Sequence, residues 1–233
     1  MEPNTQDDLA AQEAAAREYR PKLQGPLIGE KMPSHVITEE YAKADQVYVA
    51  KTIALPETYS SYRPVQGDGN CGWRAIGYGY FETLIQQGDV ALVQSELQRL
   101  TALNQYLSSV GGYDDMVYEP MSEETIELLG DIAANMVDPL TAMSILTNKF
   151  NDPNSANSII YHLRLLAASW LRENAETYEA FTAAEGGIQP YCNDVLERVD
   201  REIEHLGIVS LIAALVAKST PIDFPKRRTI KIL

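Results

Sequence analysis

Apolar residues at Trp73, Ile76, Tyr80 and Leu84 share one helical face, so the segment 71–87 reads as a helix with a buried side. The same spacing predicts helices over about 37–54, 89–108, 122–136 and 139–149. Its most regular expression is "SIIYHLRLLAASWLREN", residues 158–174. Shorter helices are expected near 176–184 and over roughly 207–217. Pro56 should stop the 37–54 helix, because proline removes a backbone donor. "VGGYDD" ends the 89–108 helix, "NDPNSAN" at 151–157 reads as a turn, and "EGGIQPYCNDV" at 185–195 as an irregular loop.

The two ends differ from the middle. Residues 6–19 are rich in Ala, Glu and Gln but have few apolar anchors, so they read as a helical arm, mobile or docked on a partner. Pro21, Pro26 and Pro33 make 20–34 an extended linker. These divide the chain into an arm and linker, 1–34, and a main domain, 35–233. "RRTIKIL" at the other end, with Thr229, Ile230 and Ile232, reads as one strand. A lone strand cannot satisfy its backbone groups. The expected class is therefore α+β, mostly helical, with a β-sheet that is incomplete at the C-terminal end.

Composition narrows the partners. The 233 residues carry 19 Lys and Arg against 33 Asp and Glu, a formal charge of −14. Phosphate binding needs a basic footprint, so neither nucleic acid nor an anionic membrane surface is expected. A partner with a basic face fits. The two cysteines, Cys71 and Cys192, are too few for a disulfide scaffold and point to a reducing compartment. The acidic N-terminus lacks the apolar core of a secretory signal, and the apolar run 206–217 is too short to span a bilayer. A cytoplasmic, and also nuclear, location is expected.

Candidate chemistry centres on "GDGNC", which precedes the 71–87 helix. Gly67 and Gly69 let the chain turn sharply. Asn70 is a suitable N-cap. Cys71 then sits in the first helical turn, where free N–H groups and the helix dipole favour negative charge. A thiolate is stabilised there, and the loop amides could hold the oxyanion of a tetrahedral intermediate. The competing reading is a small buried hydrophobe. The neighbours Asn70 and Gly72 are not apolar, which leaves both readings open on physical grounds alone.

"DGNCGWRAIGYGYFETL" resembles the nucleophile motif of the ovarian tumour (OTU) family of deubiquitinating cysteine proteases, and within it the otubains, peptidase family C65. Three further blocks are similar to otubain segments, in order: "EEYAKADQVYVAKTIAL", "FNDPNSANSIIYHLRLLAASWLRENAETYEAF" and "YCNDVLERVDREIEHLGIVSLIAAL". The likeness spans about 37–217. It implies an OTU, papain-like fold and hydrolysis at the ubiquitin C-terminus by a Cys–His–Asp/Asn mechanism. Cys71 matches the nucleophile and Asp68 the motif aspartate. The backbone amides of Asp68, Gly69 and Cys71 match the oxyanion hole. Ubiquitin, polyubiquitin chains and ubiquitin-conjugating enzymes are the implied partners, and no metal or organic cofactor is implied.

The base is the difficulty. Otubains carry their catalytic histidine in a "GHYDILY"-like strand near the C-terminus, and no such segment occurs here. The expectation is an otubain lacking its last few dozen residues, with no catalytic histidine in this chain. Of the three histidines, His35 falls in the linker and reads as solvated, and His162 reads as core or helix surface. His205 follows Glu204 and is the one substitute. Cys192 reads as structural. A helix N-terminus offers an anion only roughly 0.3–1 kcal/mol, and papain-like thiols rely on an imidazolium partner. Without a base nothing protonates the leaving amine. The alternatives are a ubiquitin- or conjugating-enzyme-binding protein that does not cleave, and an unrelated cysteine hydrolase using His205.

Overall fold

The computed structural model describes residues 25–41, 46–182, 186–199 and 201–216. The arm at 6–19 and the strand expected at 227–233 lie outside them. In chain order the elements are β1 (Met32–Pro33), α1 (His35–Tyr41), α2 (Gln46–Thr52), α3 (Leu55–Thr58) and β2 (Ser61–Tyr62). The long helices follow: α4 (Cys71–Gln87), α5 (Val90–Ser109), α6 (Asp115–Ala134), α7 (Pro139–Asn151) and α8 (Pro153–Glu173). Then come α9 (Ala175–Tyr178), a 3-10 turn (Glu179–Phe181), α10 (Ile188–Tyr191), a π turn (Cys192–Leu196) and α11 (His205–Val216).

Helix α8 organises the domain because it is apolar on more than one face. Ile159, Ile160, Leu163, Leu165, Leu166, Ala167, Ala168 and Leu171 are all buried. A helix buried all round must be enclosed by other elements. Here α4, α5, α6, α7, α11 and the π turn pack around it. Helix α4 approaches closely at Gly77, where a Cβ would lie 2.8 Å from Leu163 Cδ1. The aromatic cluster Tyr78, Phe81 and Phe150 fills the space beside it, with Tyr78 and Phe150 edge to face at 5.5 Å. Deeper in, the Tyr80 hydroxyl donates to the buried Glu96 carboxylate. Arg99 also holds Glu96 and donates to the carbonyls of Ala214 and Leu215, satisfying the end of α11.

Several expectations need correction. The 71–87 helix has the expected bounds. Helices α1 and α2 cover the described parts of the expected 37–54 helix, residues 42–45 lying outside the described residues, and Pro56 falls in the first turn of α3. Proline is tolerated in a first turn, where its missing donor would be unpaired anyway. For the same reason "NDPNSAN" is a helix junction more than a turn. Asp152 accepts from Ser155 N–H and Pro153 starts α8. Helix α6 starts seven residues earlier than expected, at Asp115, with Pro120 inside it. The 185–195 loop holds α10 and most of the π turn.

The linker reading of 20–34 also fails over its described part. Ile28 is buried, its N–H donates to Asn151 Oδ1 at 2.8 Å and its carbonyl accepts from Asn151 Nδ2 at 3.1 Å. Ile28 bridges Val65, and Met32 and Pro33 pair antiparallel with Tyr62 and Ser61. The chain there is extended, as the prolines require, but it is a ribbon built into the domain. That ribbon leads directly into the loop before Cys71. Among the described helices none is long and apolar enough to cross a membrane.

Candidate active site

Cys71 is the first residue of α4 and is half-buried. The chain turns into it at Gly69, whose φ of 86° lies in the left-handed region that favours glycine. Two buried arginines fix the loop from below. Arg74, one turn into α4, grips the Asp68 carboxylate with both nitrogens, Nη1 to Oδ1 at 2.9 Å and Nη2 to Oδ2 at 2.6 Å. Nη1 also reaches the Gln66 carbonyl at 3.4 Å. Asp68 Oδ1 accepts from Asn70 N–H at 3.0 Å, which closes the turn. Burial alone would raise the Asp68 carboxyl, but the Arg74 fork and the Asn70 N–H outweigh it and hold it below the usual carboxylate range.

Arg164 of α8 is the second anchor. Its side chain is fully buried and its guanidinium lies 4.6 Å over the Trp73 ring. Nη2 donates to Asn70 Oδ1 at 2.7 Å and to the Arg201 carbonyl at 2.6 Å, and Nη1 to the Leu196 carbonyl at 3.0 Å. One side chain therefore ties together the loop before Cys71, the end of the π turn and the segment entering α11. This corrects the expectation that Asn70 caps α4. Asn70 stands at the cap position, but its side chain makes no capping bond. It is taken up by Arg164.

The geometry is also specific about the loop amides. Asp68 N–H donates to the Gln66 carbonyl at 3.1 Å. A contribution of that amide to an oxyanion hole requires the bond to give way. The Asp68 carboxylate faces Arg74, not a histidine, so its evident work is to hold the loop.

The three histidines occupy three different settings. His162 is fully buried, its Nδ1 lies 2.9 Å from Thr125 Oγ1, and burial lowers its pKa to about 4. His35 is exposed at the start of α1, 3.8 Å from Glu39, rather than in a linker. His205 is exposed at the start of α11. It belongs to the segment that covers the nucleophile helix: a Cβ on Gly72 would collide with Ile203, and one on Gly207 would lie 3.7 Å from Trp73 Cζ2. Among the described residues no hydrogen bond joins Cys71 to a histidine.

The second cysteine is different in kind. Cys192 is fully buried in the π turn, with Sγ 3.7 Å from the Ala168 carbonyl, and burial pushes its thiol up to about 11. Arg74 and Arg164 were not singled out from the sequence. The available signal was a charged residue inside an apolar helical stretch, which needs a buried partner.

A half-exposed thiol at the N-terminus of a buried helix, after a loop held by buried arginines, is the arrangement of a thiol-dependent acyl-transfer centre. Residues 20–223 match the otubain family, Peptidase C65, and the chain belongs to that family. It is 29% identical over 196 residues to human ubiquitin thioesterase OTUB1, covering 83% of this chain and 68% of that protein. It is 29% identical over 218 residues to the ubiquitin thioesterase otubain-like protein of Caenorhabditis briggsae, covering 91% and 72%. Among solved structures, an h/ceOTUB1–ubiquitin aldehyde–UBCH5B~Ub complex aligns with a TM-score of 0.74 at 28% identity, over 91% of this chain and 78% of that one. A ceOTUB1 complex with ubiquitin aldehyde and UBC13~Ub gives 0.73 at 25% identity, over 91% and 80%. The α+β OTU fold expected from the sequence is the fold of this chain.

Proposed function

We propose that this protein is a cysteine-type deubiquitinating peptidase that hydrolyses bonds at the C-terminal carbonyl of ubiquitin, with Cys71 as nucleophile. The observation that carries the reading is the position of Cys71: first residue of a buried helix, half-exposed, on a loop fixed by Arg74 and Arg164, in a chain of the otubain family. The Cys71 thiolate attacks the ubiquitin carbonyl carbon and forms a C–S bond. The carbonyl electrons move to an oxyanion, for which the N–H groups of Gly69 and Cys71 are the assigned donors, joined by Asp68 when its amide leaves Gln66. Collapse breaks the C–N bond as the amine takes the proton that the base removed from the Cys71 thiol, and water then adds to the thioester carbonyl, breaking the C–S bond to free the ubiquitin carboxylate and the thiol.

Asp68 serves the reaction by holding the loop through Arg74. Within the described residues, His205 is the candidate base, because its segment packs on Gly72 and Trp73. The partners are ubiquitin, polyubiquitin and ubiquitin-conjugating enzymes. Support comes from the relatives named ubiquitin thioesterase and from the neighbours' complexes with ubiquitin aldehyde, UBC13~Ub and UBCH5B~Ub. The formal charge of −14 suits a partner with a basic face. A cytoplasmic and nuclear location fits two free cysteines; fractionation of cells expressing a tagged chain tests it.

A second reading, binding without cleavage, is favoured by one observation: among the described residues no histidine bonds the Cys71 thiol. Di-ubiquitin cleavage and a binding titration on the same samples separate the two. Turnover that Cys71→Ala abolishes supports the peptidase, and a further large loss in His205→Ala identifies the base. Tight ubiquitin binding with no cysteine-dependent turnover supports the binder.

A further inference from the structure

The geometry points to Arg164 as a positioning residue that acts on Cys71 through Asn70, fixing the Asn70 side chain and with it the peptide whose N–H, that of Cys71, is assigned to the oxyanion. This rests on the reading of Cys71 as an acyl-transfer nucleophile. Three observations carry it. Asn70 is at the cap position, and asparagine there normally accepts from the N–H of the second or third helical residue. It does not do so here; its Oδ1 accepts from Arg164 at 2.7 Å instead. Its backbone, at φ −105° and ψ 3°, is in the bridge region and not in the extended conformation of a capping residue.

The consequence is chemical. The direction of the Cys71 N–H is set by the peptide it shares with Asn70, so a fixed Asn70 keeps that donor aimed where negative charge develops. Arg164 is well suited to divert Asn70. It is fully buried, stacked on Trp73 and fixed by two further carbonyls, Leu196 and Arg201, so its fork cannot follow a moving loop. Lysine could keep the charge but not this planar set of bonds. Because the same guanidinium holds Arg201, the nucleophile loop and the segment leading to His205 share one anchor.

The test separates oxyanion chemistry from simple thiol reactivity. A ubiquitin C-terminal ester of a good leaving group reports acylation of Cys71 in single turnover. Iodoacetamide reports only thiolate and access, since its displacement builds no oxyanion. Arg164→Met and Arg164→Lys should each slow acylation about 10-fold or more, with half-saturation unchanged within about 2-fold. Their iodoacetamide rates and pH profiles should stay within about 2-fold of wild type. Adding Asn70→Ala to Arg164→Met should cause no further loss, because Arg164 acts through that side chain.

A multiplied loss in the double variant, or equal falls in acylation and alkylation, overturns the proposal and leaves Arg164 a structural anchor. If Arg164→Met does not fold, Arg164→Lys with and without Asn70→Ala gives the same cycle. Amide exchange of residues 71–74 is read on all samples. Faster exchange at Cys71 in the Arg164 variants, not increased further by adding Asn70→Ala, supports the proposal even if wild type gives no acylation; unchanged exchange then overturns it. Absence of Cys71-dependent acylation in wild type would count against the peptidase reading alone.

Discussion

The two cysteines of this protein sit in different surroundings and have opposite chemistry. Cys71 is half-exposed at the start of a helix, after a polar loop. Cys192 is sealed in a π turn against α8, where burial raises its thiol to about 11 and its sulfur lies 3.7 Å from the Ala168 carbonyl. A thiolate needs water, a positive field or hydrogen-bond donors; Cys71 is open to water at a helix start, whereas at Cys192 burial outweighs the charge of Arg172. Residue type does not separate a reactive thiol from an inert one; burial and the local supply of donors do.

The strongest way to break this comparison is replacement. Cys71→Ala should remove ubiquitin cleavage and Cys192→Ala should leave it within about 3-fold in a di-ubiquitin assay, since the second thiol touches no reacting atom. Alkylation comes next. Iodoacetamide at pH 7.5 should label Cys71 at least about 100-fold faster than Cys192 in the folded protein, and the two should become equal in denaturant. Peptide mapping by mass spectrometry reads both rates. Equal labelling of the native protein would refute the contrast.

The loop that exposes Cys71 depends on its ion pair. Arg74→Met strands Asp68 and leaves the Gln66 carbonyl with one donor fewer, at a cost of about 3 kcal/mol in a urea titration. A smaller effect is expected at Gly72, where an added Cβ meets Ile203. Gly72→Ala should cost about 1–3 kcal/mol as overpacking, and should disturb the approach of the His205 segment.

The smallest effect is on pH dependence. His162 is held neutral, its pKa lowered from 6.5 to about 4 by burial, so the unfolded chain binds the extra proton. Its stabilisation is complete above pH 6.5 and declines as the pH falls toward 4. Asp68 acts in the same direction at lower pH. Its carboxyl is depressed, so its contribution is full above the ordinary carboxylate range and disappears as the pH falls through the folded value. His162→Gln should flatten the stability profile between pH 6.5 and 4, and Asp68→Asn should flatten it only below that window. A profile unchanged by either substitution would show that other groups set the acid limit.

Much of the helical frame was readable because burial imposes a period. The stripe Trp73, Ile76, Tyr80 and Leu84 located α4, and the apolar run around Leu163 located α8. Proline was misread where its position in the turn decided its meaning: Pro56 and Pro153 begin helices. The Asp152–Pro153 pair carried that signal, since aspartate caps and proline fits the first turn. Ile28 gave no periodic signal at all. Its burial depends on Asn151, 123 residues away, offering both an acceptor and a donor to one backbone unit.

By itself the sequence determined that a cysteine follows a turn-forming loop and opens an amphipathic helix, because spacing and residue chemistry are local properties. It also determined the family, through blocks that lie in order along the chain. Only the tertiary structure decided what Asn70 does. Local rules made it a helix cap, and Arg164, 94 positions away, drew its side chain elsewhere. The structure likewise assigned Asp68 to Arg74 and brought the residue before His205's segment, Arg201, onto the same guanidinium as the nucleophile loop. Buried charges must find partners wherever the fold places them, and that requirement carries no local pattern.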